Sequence, residues 1–128
     1  MSQNSIQIQI EEDFPDTHYF LYKNKKYPFK YEFFKHSSKY FSSNQSKFEL
    51  CQVIPLFEEE NEIEIDEDSI NTFIQYVQRQ KVSLNNENVC ALNYLGNKFE
   101  VLPLISVTKN YISEHQNEFF LKILLDIF

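Results

Sequence analysis

The chain has one glycine among its 128 residues, one alanine, one arginine and no tryptophan. A phosphate cradle needs backbone amides laid bare by several glycines, so the lone Gly96 excludes one. Cysteine is scarce too: Cys51 and Cys90 stand far apart, form no CxxC pair and have no histidine at metal-ligand spacing. That pattern predicts no metal site and two small buried thiols of a reducing compartment. No run of about 18 apolar residues is present, which excludes a spanning helix. Met1 to Ser5 is polar and lacks the basic and apolar regions of a secretory signal. The expected location is therefore the cytoplasm, with the nucleus as the alternative. Positive charge is the last shortage. With a net charge of -7 and a single basic cluster, Lys23, Lys25 and Lys26, the chain lacks the cationic surface that attracts nucleic acid or an anionic membrane.

Reacting groups are equally thin. His18, His36 and His115 lie in three separate segments with no Ser-His-Asp or Cys-His order. Carboxylates are abundant, with eight in the eleven positions from Glu58 to Asp68, but they form one acidic run rather than a pair split by an apolar pocket. Asp66 and Asp68 could begin a calcium loop. The following Ser69-Ile70 supplies neither the turn glycine nor the alternate ligands, so a solvated acidic face is expected. The chain is expected to be no enzyme and to carry no cofactor.

What the sequence does hold is hydrophobic material: 42% apolar and 16% aromatic residues, with 13 Phe and 8 Tyr. Together with the surplus of Asn, Lys and Ile, this bias matches AT-rich codon usage, and the aromatics are expected to fill a core. The length suits one domain. Its pattern is α+β, a small sheet followed by a cluster of short helices. Residues 1–17 form a polar tail in which Ile6, Ile8 and Ile10 alternate at strand period, as an edge or exchange strand would. Tyr19 to Tyr22 and Tyr27 to Tyr31 predict a hairpin about a turn at Lys23 to Lys26, with Pro28 on an edge strand. Glu32 to Phe41 predicts a helix, Phe48 to Val53 a strand, and Glu62-Ile63-Glu64-Ile65 a half-buried strand.

The stretch from Asp68 to His115 is the most regular. Asp68 or Ser69 can cap a helix with Ile70, Phe73, Ile74 and Val77 on one stripe. Asn85 or Asn86 can cap the next, striped by Val89, Leu92, Leu95 and Phe99. Gly96 costs a helix about 1 kcal/mol relative to Ala, which predicts another backbone close by. Pro103 suits the first turn of a further helix carrying Leu104, Ile105, Thr108, Tyr111 and Ile112. Residues 116–128 predict a last helix with Phe120, Ile123, Leu124 and Ile127 on one apolar face.

Several of these phrases resemble the BTB/POZ family. Tyr27-Pro28-Phe29 leading to Ser38-Lys39-Tyr40-Phe41 looks like its first helix region, and Ile63-Glu64-Ile65-Asp66 followed by Phe73-Ile74-x-Tyr76-Val77 resembles its strand and next helix. Asn88-Val89-x-x-Leu92-x-x-Leu95-Gly96 through Leu104 resembles its following helix pair. Residues 18–115 carry the resemblance, and are also similar to the degenerate BTB-like N-terminal domains found before ankyrin repeats in protist proteins. One departure is Lys30-Tyr31-Glu32-Phe33-Phe34, which stands where the family has a His or Arg followed by Leu. The resemblance implies a protein-protein interaction module that self-associates as a homodimer. In some members it also implies an adaptor role on a cullin scaffold in a ubiquitin ligase complex. The interface set it points to, with the two apolar flanks, is Ile6, Ile8, Ile10, Phe33, Phe34, Tyr40, Phe41, Phe120, Ile123, Leu124 and Ile127. A second expectation is an N-terminal structural cap, with the last helix buried by a following ankyrin-type repeat.

Overall fold

Lys23 and Asn24 turn the first hairpin with φ of 51° and 64°, the positive values at both central positions that a type I′ turn needs to match strand twist. The turn is thus tighter than the lysine-rich sequence predicts. In the structure, a computed structural model that describes residues 15–57 and 64–117, the flanking strands are β1 (His18–Tyr22) and β2 (Lys25–Phe29). They pair antiparallel with Phe20 opposite Tyr27 and Tyr19 opposite Pro28. The sheet order is β2-β1-β3, so Pro28 lies on an edge strand, where its missing N–H breaks no ladder.

Three short helices follow: α1 (Tyr31–Ser37), α2 (Lys39–Ser43) and α3 (Gln45–Leu50). The single helix predicted over Glu32 to Phe41 is split at Ser38, which sits extended at φ -112° and ψ 119° and accepts a hydrogen bond from the Phe41 N–H at 3.2 Å. The expected strand from Phe48 is also corrected. Phe48 is helical and packs on the Phe41 ring at 4.7 Å, and only β3 (Val53–Pro55) is strand, running parallel to β1 with Phe20 opposite Ile54. Burial of Phe48 overrides the local strand preference of Phe48 to Val53. His18 fastens this helix to the sheet: its Nε2 lies 2.7 Å from the Phe48 carbonyl oxygen. That oxygen only accepts, which places the proton on Nε2 and leaves Nδ1 for the Thr17 hydroxyl at 2.8 Å.

The remaining helices are α4 (Glu67–Val77), α5 (Val89–Lys98) and α6 (Leu102–Glu114). Helix α4 begins slightly earlier than its capping residues predict, with Asp66 at the N-cap accepting from the Ser69 hydroxyl at 2.6 Å. Ile70, Phe73, Ile74 and Val77 are all buried, as their spacing requires. Glu64 to Asp66 has no strand pairing, although Ile65 is buried; Glu62 and Ile63 lie outside the described residues. Before α5, Asn85 and Asn88 form a reciprocal box: Asn85 Oδ1 accepts from Asn88 N–H at 2.8 Å and Asn88 Oδ1 from Asn85 N–H at 2.9 Å. Regular α5 starts one turn later than the cap.

Helices α4 and α5 both end in Schellman turns without glycine. Gln80 N–H donates to Gln75 C=O at 2.9 Å past Arg79 at φ 63°, and Val101 N–H to Gly96 C=O at 2.8 Å past Glu100 at φ 54°. A Cβ on Gly96 would lie 3.3 Å from Leu104 Cγ and Cδ2 and 3.5 Å from Ile105 Cγ1. Side chains of α6, rather than a backbone, therefore set the close approach there. Pro103 falls in the first turn of α6, as predicted.

The core is a ring cluster centred on Phe20. Its ring meets Phe29 at 4.4 Å, Phe99 at 5.2 Å, Phe34 at 5.6 Å, Phe73 at 6.2 Å and Phe41 at 6.3 Å. The described phenylalanines are core residues, apart from a half-buried Phe57.

Candidate functional site

Two elbows of the chain are tied together on one side of the molecule. At the first, between α1 and α2, the Ser38 hydroxyl donates to the Phe99 carbonyl and the Lys39 N–H donates to the Glu100 carbonyl at 3.1 Å. At the second, between α5 and α6, the left-handed Glu100 aims that carbonyl back across the gap. Ser38 is 1% exposed, so this link is a dry, fixed floor rather than a surface contact. Above it opens a cleft of about 610 Å³ whose walls include Lys35, His36, Lys39, Gln45, Leu102 and Pro103.

The cleft's rim gathers three basic side chains. Lys35 pairs with Glu32 at 3.2 Å, His36 stands exposed above it, and the exposed Lys39 side chain occupies the first turn of α2. Glu100 is the single acid of the lining. On the opposite wall Leu102 is 63% exposed at the start of α6, where the chain has just left its elbow and offers the leucine no neighbour to bury against.

The lysines of the hairpin behave otherwise. Lys23 is ion-paired with Glu64 and Lys25 with Glu67, while Lys26 lies over the Tyr19 ring at 5.0 Å. The hydrogen bond from Lys23 holds the Glu64 carboxyl below its ordinary pKa, and the same bond raises that of Lys23. Part of the acidic run therefore neutralises the hairpin tip. A second cleft, about 340 Å³, lies between the start of α4 and the connector before α5. Three of its polar side chains are spent internally: Asp66 takes the Ser69 hydroxyl, and Asn85 and Asn88 take each other's amides. Among the described residues no group of three His, Cys, Asp or Glu is placed to hold a metal ion, and no helix is long and apolar enough to cross a membrane.

The expected interface residues fare unequally. Phe34 and Phe41 have no accessible surface and Phe33 is 7% exposed; all three close the chain's own core, and this corrects their place among partner-facing residues. Tyr40 is half-buried, packed on Phe48 and Phe99 at 5.5 Å each. Ile6, Ile8, Ile10, Phe120, Ile123, Leu124 and Ile127 lie outside the described residues. Cys51 and Cys90 are exposed rather than buried. The elbow cleft is the feature that sequence reasoning missed. Its walls come from separate segments, and nothing in the local pattern joins Lys39 to Leu102. No protein-family model matches this chain, and no curated protein matches it.

Proposed function

We propose that this chain is a protein-protein interaction module of the BTB/POZ class, without catalytic activity. The observation that carries the reading is where the family-like phrases fall. Ser38-Lys39-Tyr40-Phe41 makes the capped elbow into α2, Phe73 to Val77 the buried face of α4, and Asn88 to Leu104 the box, helix, Schellman turn and start of α6. Each phrase becomes a structural joint and none gathers reacting groups. The order of hairpin, short helices, a short strand and then further helices supports the reading, whereas the strand that the resemblance implies at Ile63 to Asp66 has no pairing over Glu64 to Asp66.

The module works by self-association or by recruiting a scaffold. Its homodimer would use Ile6, Ile8 and Ile10, which the sequence pattern predicts as a strand, together with Tyr40. An adaptor role on a cullin ubiquitin ligase follows in the cytoplasm or nucleus if the cullin binds. The structural-cap reading draws on α6, whose Leu102 and Val107 are 63% and 38% exposed and present apolar surface that an ankyrin-type repeat would cover.

Light scattering of the whole chain at micromolar concentration tests self-association, with a mass of two chains expected. A pull-down scored for this chain's own tagged copy and for a cullin N-terminal domain tests recruitment. A monomer that captures neither would remove the interaction-module reading and leave the cap.

A further inference from the structure

We infer that both edges of the three-stranded sheet are sealed against strand addition, by Pro28 on β2 and Pro55 on β3. Neither a second copy nor an extended partner peptide can lengthen the sheet through its backbone. The inference does not depend on the interaction-module reading; it limits the contacts that such a module makes.

The direction of each backbone group follows from the ladder. Tyr19 N–H donates to the Gln52 carbonyl at 3.0 Å and Leu56 N–H donates to the Leu21 carbonyl at 2.9 Å, so the main-chain groups of Tyr19 and Leu21 face β3. Opposite them across the hairpin stand Pro28 and Lys26. Opposed residues of an antiparallel pair either exchange both bonds or turn both away, so Pro28 and Lys26 present theirs to the outside of β2. On β3, Gln52 and Leu56 bond to β1, which leaves the alternate residues Val53 and Pro55 facing out.

Each outward row is then short of donors. On β2 it runs Lys26, Pro28, Lys30: Pro28 has no N–H, and the Lys30 N–H donates to Gln78 Oε1 at 2.8 Å. On β3 it runs Cys51, Val53, Pro55: the Cys51 N–H donates to the Lys47 carbonyl at 3.0 Å, and Pro55 has no N–H. The Val53 carbonyl already receives the Cys51 thiol at 3.2 Å. Among the described residues one donor per edge stays open, Lys26 N–H on β2 and Val53 N–H on β3. An added strand needs a donor at every second residue, and beside each lone donor a proline ring stands where an amide hydrogen would be. Any strand tolerates proline only at such outward positions. The spent amides of Lys30 and Cys51 close the same two rows by a different means. Both edges of the sheet carry this pattern, which is how a small sheet avoids chaining edge to edge. Self-association through Ile6, Ile8 and Ile10 therefore does not run through the backbone of this sheet.

Amide hydrogen exchange on the whole chain at micromolar concentration reads the edges directly. Lys26 and Val53 are expected to exchange nearly as fast as unstructured amides, while Phe20 and Tyr27, opposed within the ladder, are slowed by about a hundredfold or more. The binding probe is a labelled peptide copying Ser5 to Glu11, followed by fluorescence anisotropy against the unaltered chain, Pro28→Thr, Pro55→Thr and the double variant. Both prolines are exposed, and threonine suits a strand. Each restored N–H is expected to tighten the peptide about tenfold, and the double variant should gain mass with concentration in light scattering. Slow exchange of Lys26 or Val53 in the unaltered chain, peptide binding to that chain as tight as to the double variant, or no tightening in any folded variant would each overturn the proposal. If the variants misfold, exchange in the unaltered chain decides it alone. A chain that neither self-associates nor captures a cullin removes the module reading and leaves these exchange rates unchanged.

Discussion

The two halves of this protein reach the same degree of burial by different means. From β1 to β3 the core is made of rings: Phe20 touches partners drawn from β2, α1, α2, α4 and the end of α5. From α4 to α6 it is largely aliphatic, with Ile70, Ile74, Val77, Leu92, Leu95 and Leu104 on stripes of successive helices. A stripe needs a helix long enough to repeat. Helices α4, α5 and α6 have 11, 10 and 13 residues, whereas α1, α2 and α3 have 7, 5 and 6. The short helices cannot hold themselves by local propensity, so contacts with Phe20 and its neighbours decide their geometry.

The sharpest way to break this comparison is to remove one member from each core. Phe20→Ala is expected to cost about 3–5 kcal/mol and Leu92→Ala about 2–5 kcal/mol, with the ring at the upper end because its loss leaves the larger cavity. Phe20→Ala should therefore be the more destabilised in urea, and α1 to α3 should lose amide protection first. A Leu92→Ala variant that proved the less stable of the two would sink the idea that the ring cluster organises the fold. The elbow itself is a smaller lever. Ser38→Ala strands the Phe99 carbonyl and the Phe41 N–H, both held by the same hydroxyl, and is expected to cost about 1–2 kcal/mol by thermal or urea unfolding.

The same contrast explains what could be seen in the sequence. The stripe Ile70, Phe73, Ile74 and Val77, a capping asparagine at Asn85 or Asn86, and Pro103 at the start of α6 were all legible, because each signal is confined to one turn or one helix, while the reciprocal partner Asn88 was not. The ring half was legible only at its hairpin. Ser38 looks like one more residue of a helix until the Phe99 carbonyl is placed beside it, and Phe48 to Val53 has the composition of a strand until Phe48 is seen packed on Phe41. Phe34 and Phe41 enter the partner-facing set through the family resemblance, and only the closing of the sheet behind them makes them core. The cleft was illegible for the same reason, since Lys39 and Leu102 line it from separate segments that no local pattern joins.

Tyr31 sharpens the comparison from the ring side. It stacks on His18 at 4.3 Å with its hydroxyl buried and without a hydrogen-bond partner among the described residues. Burial raises its pKa above the ordinary 10.0. The folded state thus holds this proton more tightly than the unfolded chain does, so its contribution is intact below pH 10 and is lost as pH rises past it. Tyr31→Phe removes the unmatched hydroxyl and is expected to gain about 1 kcal/mol at neutral pH. The gain should widen in alkaline urea melts; a loss at neutral pH would mean that the hydroxyl finds a partner in solution.

The smallest expected effect tests the glycine-poor elbows. Glu100 and Arg79 occupy the same left-handed position in two Schellman turns, at a steric cost of about 1 kcal/mol for any residue with a Cβ. Glycine relieves that cost but frees the unfolded chain, which returns part of the gain. Glu100→Gly should therefore raise stability by about 0.5 kcal/mol, a shift of roughly 2 °C in a thermal melt. Arg79→Gly should gain less, because the guanidinium lies over the Phe33 ring at 5.6 Å and that contact is lost. The two variants differ only in what the side chain does beyond its own backbone. If Arg79→Gly proved the more stabilising, the arginine's place over the ring core would be incidental.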